Sequence, residues 1–120
     1  MAKKILIIDD TVSILESIKD ILDLEGYDVE TTNSSTKGLE MIKSDAYDIV
    51  LLDVQMPEMT GLEIISALKD TPFIRTTKIV LMTASDIPSE ELTELMKVGL
   101  AAWVRKPINM QILLGRLKIL

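Results

Sequence analysis

Residues 49–61 read IVLLDVQMPEMTG, and the order of residue types in this stretch decides how the chain folds. Ile49, Val50, Leu51 and Leu52 follow one another without a polar interruption, so they read as a strand buried on both faces. The run ends on Asp53, and Pro57 and Gly61 then break the chain, so the strand delivers one carboxylate into a loop. In open parallel sheets, ligands sit outside the carboxyl ends of the strands, which makes Asp53 the first candidate for chemistry. Two roles fit it. One is a turn-initiating Asx residue; the other is a carboxylate nucleophile at the rim of a core.

Upstream, Lys4 to Ile8 is a second buried apolar run, ending at Asp9, Asp10 and Thr11. From Val12 to Glu25, Ile14, Leu15, Ile18, Ile21 and Leu22 recur at helical spacing, and Gly26 supplies a left-handed stop. Asp28 to Thr32 suits a short outer strand, and Ser34 or Ser35 then caps a helix carrying Leu39, Met41 and Ile42. The central strand is read as Asp48 to Asp53.

Downstream, Thr60 and Gly61 start a helix with Leu62, Ile64, Ile65 and Leu68 inward, and a loop around Pro72 follows. Lys78 to Thr83 is the fourth strand, and Pro88 and Ser89 introduce a helix with Glu90 and Glu91 in its first turn. Ala101 to Arg105 is a fifth strand, closed by Lys106 and Pro107, and Ile108 to Leu120 is the last helix. Five strands alternating with five helical patterns predict a doubly wound α/β fold, a parallel sheet with helices on both faces. Strand order 2-1-3-4-5 would bring Asp9, Asp10 and Asp53 together at the switch point.

Composition narrows the function. At 120 residues the chain fits one domain, and its 48% hydrophobic content is aliphatic, with only Tyr27, Tyr47, Phe73 and Trp103 aromatic. Nineteen acids against thirteen bases give a net charge of −6, which argues against nucleic-acid binding. Without Cys or His there is no disulfide, thiolate or imidazole metal site, and the chain carries no phosphohistidine of its own. The opening MAKKILIIDD has an apolar run too short for a signal peptide or membrane span, so a cytoplasmic protein is the default expectation.

Each candidate residue has an ordinary role beside its functional one. Asp9 and Asp10 can cap the first helix, or with Asp53 form an all-oxygen site for Mg²⁺, with Mn²⁺ the other ion that fits, since converging carboxylates repel unless a cation sits between them. Lys106 can be a solvated surface lysine, or it can lay its stem along the sheet edge and bring an ammonium to a phosphoryl group on Asp53. Thr83 can simply finish a strand or donate its hydroxyl to phosphate. Trp103, alternating with Val104 along strand five, can be a core or edge anchor. The conjunction at the ends of strands one, three, four and five is what favours the functional reading.

Taken together, IIDD, LLDVQMPEMTG, VLMTAS and WVRKP make the whole chain resemble the receiver domain of two-component response regulators, of the chemotaxis type. The resemblance implies a flavodoxin-like three-layer α/β/α sandwich and a switch that turns over no external substrate. It implies that Asp53 is phosphorylated, that Asp10, Asp53 and the Gln55 backbone carbonyl ligate Mg²⁺, and that Asp9 holds a metal-bound water. Lys106, Thr83 and the Ala84 backbone N–H would bind the phosphoryl group, and Lys106–Pro107 would be a cis peptide. Trp103 stands at the switch-aromatic position, where the family has a smaller ring. Gln55 and Ser85 stand where the family tunes phosphoryl lifetime.

The implied phosphoryl donor is a histidine kinase or a histidine phosphotransfer protein. Output would pass through strand four, strand five and the last helix to a partner protein or domain, or through a phosphorylation-linked homodimer. On the last helix, Met110, Leu113, Leu114, Leu117 and Leu120 form the core stripe, while Ile112 and Ile119 lie nearly opposite, as scattered surface residues or as an interface. Residues 1–120 are expected to be one receiver domain, either stand-alone or the N-terminal part of a longer protein. Two other functions compete. One is a pseudo-receiver that works without phosphorylation, although no key residue is missing here. The other is a haloacid-dehalogenase-type phosphatase, whose D-x-D motif is absent because Thr11 follows Asp9 by two positions.

Overall fold

The computed structural model describes residues 2–84 and 87–120. The apolar runs form strands β1 (Lys4–Ile8), β2 (Asp28–Thr32), β3 (Ile49–Asp53), β4 (Lys78–Thr83) and β5 (Ala102–Arg105). They pair in parallel in the order β2-β1-β3-β4-β5. This is the doubly wound, flavodoxin-like order expected from the sequence. Within the sheet Ile8 faces Leu52, Asp53 faces Met82 and Thr83 faces Arg105, so the carboxyl ends of the strands form one rim.

The helices are α1 (Val12–Leu24), α2 (Ser35–Ser44), α3 (Gly61–Leu68), α4 (Phe73–Thr76), α5 (Ser89–Val98) and α6 (Met110–Lys118). Side-chain alternation along each strand divides the core in two. Ile5, Ile7, Ile49, Leu51, Val80 and Met82 pack with Leu15, Ile18 and Leu22 of α1 and with Leu113 and Leu117 of α6. Leu6, Ile8, Val50, Leu52, Ile79 and Leu81 face the other way, against Ile42 of α2, Ile64, Ile65 and Leu68 of α3, and Ile74 of α4. The result is the three-layer sandwich.

Among the described residues, six helices stand where five were expected. The addition is α4, a single turn inside the segment read as a loop around Pro72. Pro72 has a helical backbone, with φ −61° and ψ −24°, and Ile74 is buried in the core, which holds a turn too short to display helical periodicity. The last helix is shorter than Ile108–Leu120, because Asn109 caps it, its side chain accepting from the Gln111 and Ile112 amides. Of the two serines offered as caps for α2, Ser34 does the capping, accepting from the Lys37 amide at 3.2 Å. Helix α3 has a reciprocal capping box, in which Thr60 Oγ1 accepts from the Glu63 amide and Glu63 accepts from the Thr60 amide. That box fixes the far end of the loop leaving Asp53.

Candidate functional site

At the end of β1, Asp9 is fully buried. Its backbone N–H donates to the Thr32 carbonyl, Oδ1 accepts from the Thr11 amide at 3.0 Å, and Oδ2 accepts from Lys106 Nζ at 2.8 Å. Asp53, at the end of β3, is 4% exposed; its Oδ1 accepts from the Gln55 amide at 3.3 Å and lies 3.2 Å from Lys106 Nζ. Asp10 is exposed beside them, and one oxygen from each of Asp9, Asp10 and Asp53 falls within 4.8 Å of the others. Asp10 and Asp53 open into a cavity of about 570 Å³, whose walls include Thr11, Gln55, Ala84 and Lys106.

Two close approaches build this rim. Gly61 N–H donates to the Val54 carbonyl at 2.8 Å, and a Cβ at Gly61 would stand 2.5 Å from the Asp53 carbonyl oxygen, so only glycine lets α3 begin directly under the acid. On the other side, the Lys106 N–H donates to the Thr83 carbonyl at 2.7 Å, which carries the end of β5 alongside β4 and turns the lysine inward. The Lys106–Pro107 peptide is cis.

The electrostatics follow from this packing. Burial, reinforced by the neighbouring Asp9 carboxylate, pushes Asp53 up to about 6 from its ordinary 3.8, against the opposing pull of Lys106 and the Gln55 amide. For Lys106 burial is the largest single influence and lowers its pKa, but the contacts with Asp9 and Asp53 together outweigh it and hold the lysine above its ordinary value. One ammonium between two buried carboxylates, with a third at the mouth, leaves negative charge in excess. The donors are all oxygen, which suits a small hard divalent cation.

The structure brings Asp9, Asp10, Asp53 and Lys106 to one point, and Gln55 and Ala84 border the cavity lined by Asp10, Asp53 and Lys106. Thr83 is buried at 2% exposure, and Ala84 rather than Thr83 lines the cavity. Trp103 is half-buried against the core face that holds α2 and α3, and it borders a separate small cavity with Met96 and Ile119. Ile112 on α6 and Ile119, its C-cap residue, are 53% and 80% exposed. Ser85 lies outside the described residues. Sequence reasoning missed Thr11, Pro57 and Thr60 as cavity walls, and it missed Thr11 as the backbone partner of Asp9. For Thr11 the available signal was its place directly after Asp10; Pro57 and Thr60 lie in the loop that follows Asp53.

A model of the response regulator receiver domain family matches residues 5–118. The chain is a response regulator receiver domain. Receivers of this family are signalling proteins that work with histidine kinases and output domains and bind Mg²⁺ at an acidic cluster; this chain has an acidic group at Asp9, Asp10 and Asp53. The receiver is 36% identical, over all 120 of its residues, to the response regulator MprA of Mycobacterium ulcerans, of which it covers 50%. It thus spans about half the length of the curated relatives it matches first. Among solved structures, the chemotaxis response regulator CheY4 of Vibrio cholerae superposes with a TM-score of 0.87 at 32% identity, covering 99% of this chain and 98% of that one. A BeF3-activated DrrB receiver domain matches with a TM-score of 0.82 at 30% identity, covering 99% and 97%.

Proposed function

We propose that Asp53 accepts a phosphoryl group from a phosphohistidine on a partner histidine kinase or phosphotransfer protein. The observation that carries this reading is the meeting of Asp9, Asp10 and Asp53 at one point, with Lys106 3.2 Å from the acceptor carboxylate. The donor set fits Mg²⁺, because Asp10, Asp53 and the Gln55 carbonyl offer hard oxygens and Asp9 stands ready for a bound water. When bound, Mg²⁺ neutralises charge on the phosphoryl oxygens.

An Asp53 carboxylate oxygen attacks phosphorus in line. The P–O bond to Asp53 forms as the P–N bond to the donor imidazole breaks, and the imidazole leaves as the neutral base, taking a proton where needed from solvent. Lys106 then shifts its hydrogen bonding toward the phosphoryl oxygens, and the Ala84 N–H and Thr83 hydroxyl supply further donors. Because Thr83 is buried and does not line the cavity, its engagement requires movement of the β4 end, and that movement is the switch. Trp103 packs one strand away and follows it. Gln55, at the cavity mouth, governs approach of the hydrolytic water, and Ser85 shares that task.

The output surface is β4, β5 and α6, with exposed Ile112 and Ile119 as contact residues for an output domain or a second receiver. Residues 1–120 act as one receiver unit, in the cytoplasm, where histidine kinases present their phosphoryl groups. Among the described residues no helix is long and apolar enough to cross a membrane.

Incubation with Mg²⁺ and acetyl phosphate tests the proposal. An alkali-labile phosphoryl adduct on the wild-type chain, absent from Asp53→Asn and from samples in EDTA, is expected. No adduct on the wild type identifies a module that works without phosphorylation.

A further inference from the structure

The loop between Asp53 and α3 is fastened at a point that the phosphorylation chemistry does not require. Ser34 caps α2, so the next hydroxyl, Ser35, is not needed for that cap. Ser35 is fully buried and its Oγ accepts from the Met59 amide at 2.9 Å, twenty-four residues away in sequence. One residue further, Thr36 Oγ1 donates to Glu58 Oε2 at 3.0 Å. The first turn of α2 therefore grips two consecutive residues of the loop, just ahead of the Thr60 capping box. Helix α2 can stand this close because Gly38 faces Ile8 of β1, where a Cβ would lie 2.5 Å from the isoleucine Cδ1. Ile8 in turn precedes Asp9, so one helix backs both the strand that carries the acids and the loop that closes them.

We infer that Ser35 is a positioning residue for the metal and phosphoryl site, holding the 55–59 loop so that the Gln55 carbonyl and the Asp53 carboxylate keep their mutual geometry; this rests on the phospho-acceptor reading. Holding a loop residue in one conformation costs backbone entropy, and a site on an untethered loop would meet that cost at each binding event. The two α2 contacts meet it in advance. The effect belongs to Mg²⁺ binding rather than to the transfer step, because neither Ser35 nor Glu58 reaches the carboxylates.

The test pairs Ser35→Ala with Glu58→Ala and with Glu58→Gln, which keeps an acceptor for Thr36. Three quantities are read: the Mg²⁺ dissociation constant by calorimetry, amide hydrogen exchange at Met59, and the phosphorylation rate with acetyl phosphate across Mg²⁺ concentrations. Loss of one hydrogen bond to the loop predicts about a fivefold weaker Mg²⁺ affinity and faster Met59 exchange in Ser35→Ala. Phosphorylation at saturating Mg²⁺ stays near the wild-type rate. Glu58→Ala shows a smaller loss of affinity, and Glu58→Gln restores it. Mg²⁺ affinity within twofold of wild type in a folded Ser35→Ala chain, or unchanged Met59 exchange, overturns the inference. Should Ser35→Ala fail to fold, equal affinities for Glu58→Ala and Glu58→Gln overturn it. A wild type that binds Mg²⁺ but takes no phosphoryl group removes the acceptor reading and leaves Ser35 to be judged on affinity and exchange.

Discussion

Asp53→Asn is expected to stabilise the metal-free chain above neutral pH. In the folded protein Asp53 titrates at about 6, and its ordinary value is 3.8. A carboxyl group whose folded pKa is raised favours the fold while protonated, so its contribution is complete below the unfolded pKa and is lost as pH rises through the folded one. The difference of about 2.2 units (6 − 3.8), at 1.36 kcal/mol each, corresponds to at most about 3 kcal/mol lost between pH 4 and pH 7. Asparagine keeps the shape and removes the titration, but it gives up attraction to Lys106, so a net gain of about 1–2 kcal/mol is expected at pH 8. For a domain of this size that is several degrees of Tm. The assay is urea unfolding of both chains in EDTA, at intervals from pH 4.5 to pH 8. The gap between the two should open as pH rises through 6 and narrow again when Mg²⁺ stabilises the wild type. A gap that does not change with pH, or an asparagine variant less stable at pH 8, refutes the electrostatic account of the site.

Lys106→Ala should destabilise the fold by about 3 kcal/mol at pH 8 in urea unfolding, because it leaves Asp9 and Asp53 buried without their cation. A loss below 0.5 kcal/mol would show that the pairing has no energetic weight. Gly61→Ala should cost about 2–4 kcal/mol by the same assay, since the added Cβ overlaps the Asp53 carbonyl; a neutral outcome would mean that the loop has room the packing denies. Ile112→Glu combined with Ile119→Glu should change stability by less than about 0.5 kcal/mol, as both side chains are exposed. Sedimentation and partner-binding measurements on that double variant, with and without phosphorylation, should show lost association; unchanged association removes α6 as the output surface.

The sequence made the sheet legible because β1, β3 and β4 are buried on both faces and their apolar runs are unbroken. Their carboxyl ends could be located to the residue, and so could the acids placed there. Lys106 and Thr83 were legible by position alone, as the residue that follows β5 and the residue that ends β4. Helix α4 was hidden because four residues cannot show a helical period, and it is held by Ile74 packing that only the folded chain reveals. The Ser35–Met59 contact was hidden for a different reason. Two adjacent serines compete for one cap, and nothing local says which hydroxyl is left over. Likewise, the burial of Thr83 away from the cavity depends on how the ends of β4 and β5 lie side by side, which strand periodicity does not encode.

The central claim is that Asp53 is the phosphoryl acceptor. Borohydride reduces an acyl phosphate to an alcohol, so the chain treated with Mg²⁺ and acetyl phosphate, reduced, digested and sequenced by mass spectrometry, locates the acceptor directly. Homoserine in place of Asp53, and at no other aspartate, is the predicted result. Homoserine at Asp9 or Asp10, or none at any position, would contradict the account.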